Sequence, residues 1–182
     1  MDLSLTVEEA AFRDECRNWL RGNLPWDYGT GLPPLFADLA EEVAFLRDWQ
    51  RRLAGAGLVG VTWPVAFGGR GAGPMHHYLA QEELARARAP ELVGRIGVNL
   101  VGPTLLAHGT PGQQQRWLPG ILPADHLCCQ LFSEPGAGSD LAAIATRAVA
   151  TDDGWVLTGQ KVWTTGATDA DFGILLARTD WD

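Results

Sequence analysis

Cys129-Gln130-Leu131-Phe132-Ser133-Glu134-Pro135-Gly136-Ala137-Gly138-Ser139-Asp140 and, further on, Gly159-Gln160-Lys161-Val162-Trp163-Thr164-Thr165 decide the fold. Residues 127–132 form a short apolar run with strand-like alternation. Ser133, Pro135, Gly136 and Gly138 then end it sharply. Glycine lets a backbone approach a ligand closely, because no Cβ intervenes. Successive amides in such a turn can cradle an anion, and Ser139 adds a hydroxyl donor. The same composition also makes an ordinary surface loop. A dinucleotide fingerprint needs a third glycine and a following helix. Only Gly136 and Gly138 stand here, and the residues after Asp140 return to strand-like alternation, which excludes that fold.

The surroundings of the second run extend the β pattern. Thr146, Ala148 and Ala150 alternate with Arg147, Val149 and Thr151, and Asp152-Asp153-Gly154 is a hairpin turn signal. Residues 155–158 and 161–165 are predicted as strands around the Gly159-Gln160 turn, and 172–179 as another. The pattern predicts an antiparallel segment rather than a βαβ unit.

With both runs on the page, a resemblance stands out. LFSEPGAGSDL, then GWVLTGQKVWTTGA, then LLARTD resembles the acyl-CoA dehydrogenase family at the start of its middle β domain. The motifs fall in the family's order and spacing, and the likeness covers essentially the whole chain. It implies FAD as cofactor. Gln130, Leu131, Phe132 and Ser133 fall where the family's first strand meets the flavin edge. Gly138 and Ser139 fall in the loop that meets the cofactor or the CoA moiety of the substrate. Trp163, Thr164 and Thr165 fall where the family shelters the isoalloxazine and hydrogen-bonds its reactive side. Two positions depart from the common pattern: many members carry an aromatic residue at Gln130 and threonine at Ser133. Serine keeps the hydroxyl.

These residue types suit the chemistry in their own right. Flavin reduction builds negative charge along one ring edge, and fixed amide and hydroxyl donors stabilise developing charge in a dry site. An indole packs on a ring face and excludes water. The cofactor does the redox work while the protein orients and tunes it.

The resemblance also implies an architecture. The expected fold is α+β. An all-α helical domain over residues 1–125 precedes an incomplete antiparallel, β-barrel-like domain over 126–182. In the family the β domain runs on, and a C-terminal helical domain follows. That domain brings the carboxylate base, further flavin contacts and the oligomer interface. It is expected to be absent from a chain stopping at Asp182, so no catalytic residue is assigned within 1–182. The family reaction takes a proton from Cα of an acyl-CoA and a hydride from Cβ, and electrons leave to an electron-transfer flavoprotein. The implied partners are therefore an acyl-CoA, that flavoprotein, and further subunits of a homo- or hetero-oligomer. Two other readings stay open: a non-catalytic flavin- or acyl-CoA-binding partner subunit, and a related flavin oxidase or monooxygenase.

Composition sets the outer bounds. The chain has 182 residues, 46% of them apolar, with eight Trp and six Phe to build a core. A net charge of −8 argues against a nucleic-acid surface, which would be basic. No apolar run reaches the ~20 residues of a membrane span. Three cysteines, an odd number, fit a reducing, cytoplasmic setting. Met1 to Thr6 is acidic and leads into a helix cap, unlike a signal peptide.

Five helices are predicted before the strands. Thr6 and Glu9 form a capping box opening a helix to about Arg21. A second runs from about Leu35 to Ala54, with Phe36, Leu39, Val43, Leu46, Trp49 and Leu53 on one stripe. The stretch around Trp63-Pro64 and Gly68-Gly69 is a structural connection, since no Walker lysine follows. Pro74 opens a third helix, to about Ala89. On it Glu82, Glu83 and Arg86 are expected to form a surface ion-pair face. A fourth, apolar helix covers 96–108 with a kink at Gly102-Pro103. Its Asn99 is expected to bond a neighbouring backbone. Thr110-Pro111 caps a fifth. His76 and His77 are adjacent and cannot share a metal across one helix face, so no metal site is expected.

Overall fold

The computed structural model describes residues 4–180. The lead-in predicted over Met1 to Leu3 and the chain end at Asp182 lie outside the described residues. Two compact units divide the chain, Met1–Asp125 and His126–Asp182.

The first unit is helical: α1 (Val7–Asn23), α2 (Leu39–Gly55), α3 (Pro74–Ala87), α4 (Gly102–His108) and α5 (Pro111–Ile121). Local chemistry sets most of their starts. Thr6 Oγ1 accepts from the Glu9 amide while the Glu9 carboxylate accepts from the Thr6 amide, a reciprocal cap. Thr110 and Gln113 repeat that cap on α5. Pro74 occupies the first turn of α3, where a missing N–H costs nothing. Helix α1 packs on α3, and Phe12, Cys16 and Leu20 of the one and Leu79 and Ala80 of the other are buried. Trp49 and Leu53 of α2 and Leu118 and Ile121 of α5 are buried in the same unit. Gln50, fully buried, donates to the Ile121 and Leu122 carbonyls and accepts from the Gly94 amide. Those carbonyls lie at the C-terminal end of α5, where helical donors run out, and Gln50 satisfies them together with the Ala124 amide on Ile121.

Three helical expectations change. Helix α2 begins at Leu39, not Leu35. Asp38 stands in extended backbone and its carboxylate accepts from the Glu41 amide, so the cap lies inside the apolar stripe. Leu35 is fully exposed. The fourth helix starts as a π turn over Gly97–Val101, which runs into α4, and Asn99 on that turn is exposed.

Glu83 is the largest change. Glu82 pairs with Arg86 at 2.9 Å as expected, while Glu83 keeps Arg86 only at 4.0 Å. Glu83 is fully buried. It accepts from Arg17 Nε at 3.0 Å, from Arg17 Nη2 at 2.7 Å and from Tyr28 Oη at 2.8 Å. Burial by itself would raise the carboxyl pKa. The Arg17 and Tyr28 hydrogen bonds and the arginine charge outweigh it, and the pKa lies below the ordinary value.

The second unit holds β1 (Cys128–Leu131), β2 (Arg147–Thr151), β3 (Gly154–Thr158) and β4 (Phe172–Leu175). Strands β2 and β3 form the expected antiparallel hairpin, with Val149 opposite Val156. The antiparallel expectation fails for the other pair: β1 and β4 run parallel, with Gln130 opposite Ile174. Parallel neighbours need a long crossover, and the hairpin with its flanking loops provides one. A 3-10 turn over Leu141–Ala143 interrupts the alternation predicted after Asp140. Residues 161–164 form no strand, because the backbone turns left-handed at Trp163 (φ 59°).

Among the described residues, no helix is long and apolar enough to cross a membrane. Cys16, Cys128 and Cys129 are free and buried. Burial pushes the Cys16 thiol up to about 11 and the Cys128 thiol up to about 12, so both stay protonated and unreactive.

Candidate functional site

Strand β1 delivers the chain to the site. Cys128 and Cys129 are buried, Gln130 is exposed, and Leu131, Phe132 and Ser133 are half-buried. Beyond Ser133 the backbone closes a tight turn. The Glu134 amide donates to the Ala137 carbonyl at 2.8 Å and the Ala137 amide returns a bond at 3.1 Å. Gly138 and Ser139 follow on the exposed side.

The two sequence runs meet here. The amide of Val162, the residue before Trp163, donates to the Ser133 carbonyl at 3.0 Å. Lys161 Nζ donates to the Phe132 carbonyl at 2.9 Å and to Glu134 Oε1 at 2.7 Å. Glu134 is buried and also accepts from the Ala145 amide at 2.6 Å and the Thr146 amide at 2.9 Å. The Lys161 ammonium, with the Thr146 hydroxyl and the Ala145 amide adding to it, holds the Glu134 carboxyl at about 2. Thr146 Oγ1 itself closes no hydrogen bond; it acts through its nearness to the carboxylate. Because the pKa falls on folding, this contribution to stability is present above the ordinary value of 4.5. It fades as the pH drops through about 2.

Trp163 is 91% exposed, although its backbone is strained. A bulky residue with positive φ is a true outlier. Among the described residues, the amides of Trp163, Thr164 and Thr165 donate to no other group, and neither do those of Gly138 and Ser139. The hydroxyls of Ser133, Ser139, Thr164 and Thr165 likewise make no hydrogen bond among the described residues. Residues 163–165 thus present an exposed indole next in sequence to open amide and hydroxyl donors. That combination suits a flat ligand with an electron-rich edge. A Cβ added at Gly136 or Gly138 would meet nothing within 4 Å. Nothing in the chain's own packing requires glycine there, whereas a ligand lying close to the backbone would.

Of the residues singled out from sequence, Phe132 and Ser133 lie against the stretch leading into Trp163, Thr164 and Thr165. Gln130 and Leu131 stand earlier on β1. Gly138 and Ser139 lie past the tight turn and share no hydrogen bond with 163–165. Glu134 and Lys161, which join the two runs, were not foreseen. Their signal was present as the acidic residue of SEPG and the basic residue of GQK, but the bond between them spans 27 positions.

A 380 Å³ open cleft elsewhere, in the helical unit, is lined by Glu8, Phe12, Glu15, Arg70 and His76. It contains none of these residues. Its Arg70 is occupied by Glu15 and by the Ala56 and Gly57 carbonyls, which makes the cluster a structural ion pair. Among the described residues no three His, Cys, Asp or Glu side chains gather as a metal site would need.

Comparison with known proteins identifies the family. The family model described as "Acyl-CoA dehydrogenase, N-terminal domain" matches residues 6–125, and "Acyl-CoA dehydrogenase, middle domain" matches 129–182. Acyl-CoA dehydrogenase IpdE1 of Mycobacterium tuberculosis is 47% identical over 178 residues, covering 96% of this chain and 45% of that protein. A solved structure named Tcur3481-Tcur3483 steroid ACAD superimposes with a TM-score of 0.74 at 34% identity, over 99% of this chain and 45% of that one. The ChsE4-ChsE5 complex from Mycobacterium tuberculosis gives a TM-score of 0.77 at 30% identity, over 99% of this chain and 44% of that one. This chain thus spans under half the length of these relatives. With the two family models matching 6–125 and 129–182, the chain belongs to the acyl-CoA dehydrogenase family.

Proposed function

We propose that this chain is the flavin-accepting portion of an enzyme that dehydrogenates the α,β bond of an acyl-CoA thioester. Its helical domain would be residues 1–125. Residues 126–182 would be the opening part of a barrel-like middle domain. The observation that supports this most is Trp163: an exposed indole on strained backbone, beside unengaged donors. Strain of that kind persists where it serves a ligand. The residues fit FAD, since an aromatic face, open amides and hydroxyls, and a bare glycine loop match a ring, its polar edge and its phosphates.

When bound, FAD supplies the two-electron acceptor for hydride from the substrate Cβ. The chain's residues do the rest of the holding. Trp163 covers one ring face and keeps water out. Ser133 and the 164–165 amides and hydroxyls would donate to the electron-rich edge of the bound ring. Gln130, Leu131 and Phe132 line the approach along β1. Gly138 lets the backbone reach the phosphate-bearing part, and Ser139 donates to it or to the CoA moiety. A base must lie within hydrogen-bond reach of the Cα proton. No residue of 1–182 matches the family's base, so turnover requires the rest of the family fold, on the same or another polypeptide. Electrons would leave to an electron-transfer flavoprotein. The two-component name of the ChsE4-ChsE5 neighbour supports a hetero-oligomer as one form of that assembly. Three free, buried thiols support a reducing, cytoplasmic setting.

Reconstitution tests this. The chain is mixed with FAD, alone and together with a polypeptide supplying the remaining family fold, and an acyl-CoA is added. Bleaching of the flavin absorbance only in the combined sample is the expected result. Stoichiometric flavin on the chain alone, with no bleaching in either sample, would favour a non-catalytic binding subunit. Peroxide release on reoxidation by oxygen would favour an oxidase.

A further inference from the structure

We propose that Glu134 and Lys161 are positioning residues: a buried clamp that aims the Trp163–Thr165 turn at the Ser133 loop. The proposal rests on the flavin-accepting reading given above, but its core is a statement about the chain itself.

The turn that carries the candidate donors has little else to hold it. Residues 161–164 belong to no strand, and their backbone anchor to the first run is the Val162 amide on the Ser133 carbonyl. The clamp supplies what a ladder would. One ammonium reaches the Phe132 carbonyl and Glu134, and one carboxylate reaches the Ala145 and Thr146 amides. Four hydrogen bonds therefore gather three separate segments around two side chains, exposed by only 8% and 7%. Charge-assisted bonds of this kind are the stronger ones, and burial keeps salt and water from weakening them. Gly159 brings the chain into direct contact with Thr146. A Cβ there would lie 2.4 Å from Thr146 Oγ1 and 2.7 Å from its Cα. The backbone then passes the clamp at Lys161 and turns left-handed at Trp163, two residues on. A strained residue stays in place only where its surroundings over-determine it. Lysine suits the position, because a compact ammonium can serve a carbonyl and a carboxylate in different directions.

Lys161→Met and Glu134→Gln test the clamp, with Lys161→Arg as the conservative variant. Two readouts are used: hydrogen exchange at the Val162, Ala145 and Thr146 amides, and FAD affinity in the reconstituted protein. Lys161→Met and Glu134→Gln are expected to speed exchange at those amides by about tenfold or more, while the β1–β4 amides keep their protection. FAD affinity should fall by about tenfold, one charge-assisted contact's worth of positioning, and Lys161→Arg should recover part of it. Unchanged exchange at Val162 would overturn the proposal. So would FAD affinity within about twofold of the parent's in Lys161→Met. General loss of β1–β4 protection would also overturn it, by making the pair a determinant of folding instead. If the parent protein takes up no FAD, the flavin reading fails, and the exchange measurements decide the clamp by themselves.

Discussion

Trp163→Ala is expected to lower FAD affinity in the reconstituted protein by about tenfold to a hundredfold without lowering the stability of the chain. The two halves of that result have separate causes. Stacking a planar heterocycle on an aromatic side chain is worth about 1–3 kcal/mol, and 1.4 kcal/mol is a factor of ten. The indole is 91% exposed, so its removal leaves no cavity in the chain. The backbone at φ 59° costs a bulky residue free energy that glycine does not spend. Trp163→Gly should therefore raise the denaturation midpoint slightly while losing the same affinity. Trp163→Phe should fall between, keeping a smaller ring. Flavin fluorescence titration and urea denaturation give the two readouts. A tryptophan present for the fold would behave in the opposite way, losing stability before affinity.

Arg17→Met is expected to destabilise the helical unit by about 3 kcal/mol, among the largest single effects in the chain. Glu83 would then be left at zero exposure with Tyr28 as its hydrogen-bond partner and Arg86 Nε at 4.0 Å. In the parent, burial opposes the charge on Glu83, and Arg17 and Tyr28 overcome it. The folded pKa is below the ordinary 4.5, so the carboxylate contributes stability above that value and loses it as the pH falls. Without Arg17 burial dominates and the folded pKa rises above the unfolded one. Stability gained by protonation then appears as the pH drops. The gap between parent and variant should consequently narrow in mild acid. Urea denaturation followed by far-UV circular dichroism at two pH values measures this. A difference under about 0.5 kcal/mol, the size of a surface pair, would show that the pair adds nothing through burial.

The same residues show how much of the molecule was legible in its sequence. Caps are local, so Thr6 with Glu9, and Thr110 followed by Pro111, marked their helix starts in the sequence. Asp38 was missed because Leu35 and Phe36 continue the apolar stripe of α2, and a stripe carries no mark of where a carboxylate will catch an amide. Glu83 looked like surface on a helix already carrying Glu82 and Arg86. Its true partner, Arg17, lies 66 positions away, and no helical periodicity links them. The parallel pairing of β1 with β4 was hidden for a similar reason. Alternation marks a strand, but its neighbour is chosen by the path of the chain between them. At the candidate site the two motifs were legible, and in the folded chain the Val162–Ser133 bond joins them. The left-handed turn at Trp163 was not legible, because apolar alternation predicts a strand over 161–165 and says nothing of such a turn. The Glu134–Lys161 pair stood inside both motifs, and only the folded chain shows that it joins them.

A crystal structure of the reconstituted protein with FAD bound addresses the flavin site most directly. The expected density places the isoalloxazine face against the Trp163 indole. Its polar edge lies within about 3.2 Å of the Ser133 hydroxyl or the Thr164 and Thr165 donors. A flavin bound elsewhere, or an indole turned away from it with those donors facing water, would contradict the assignment of these residues.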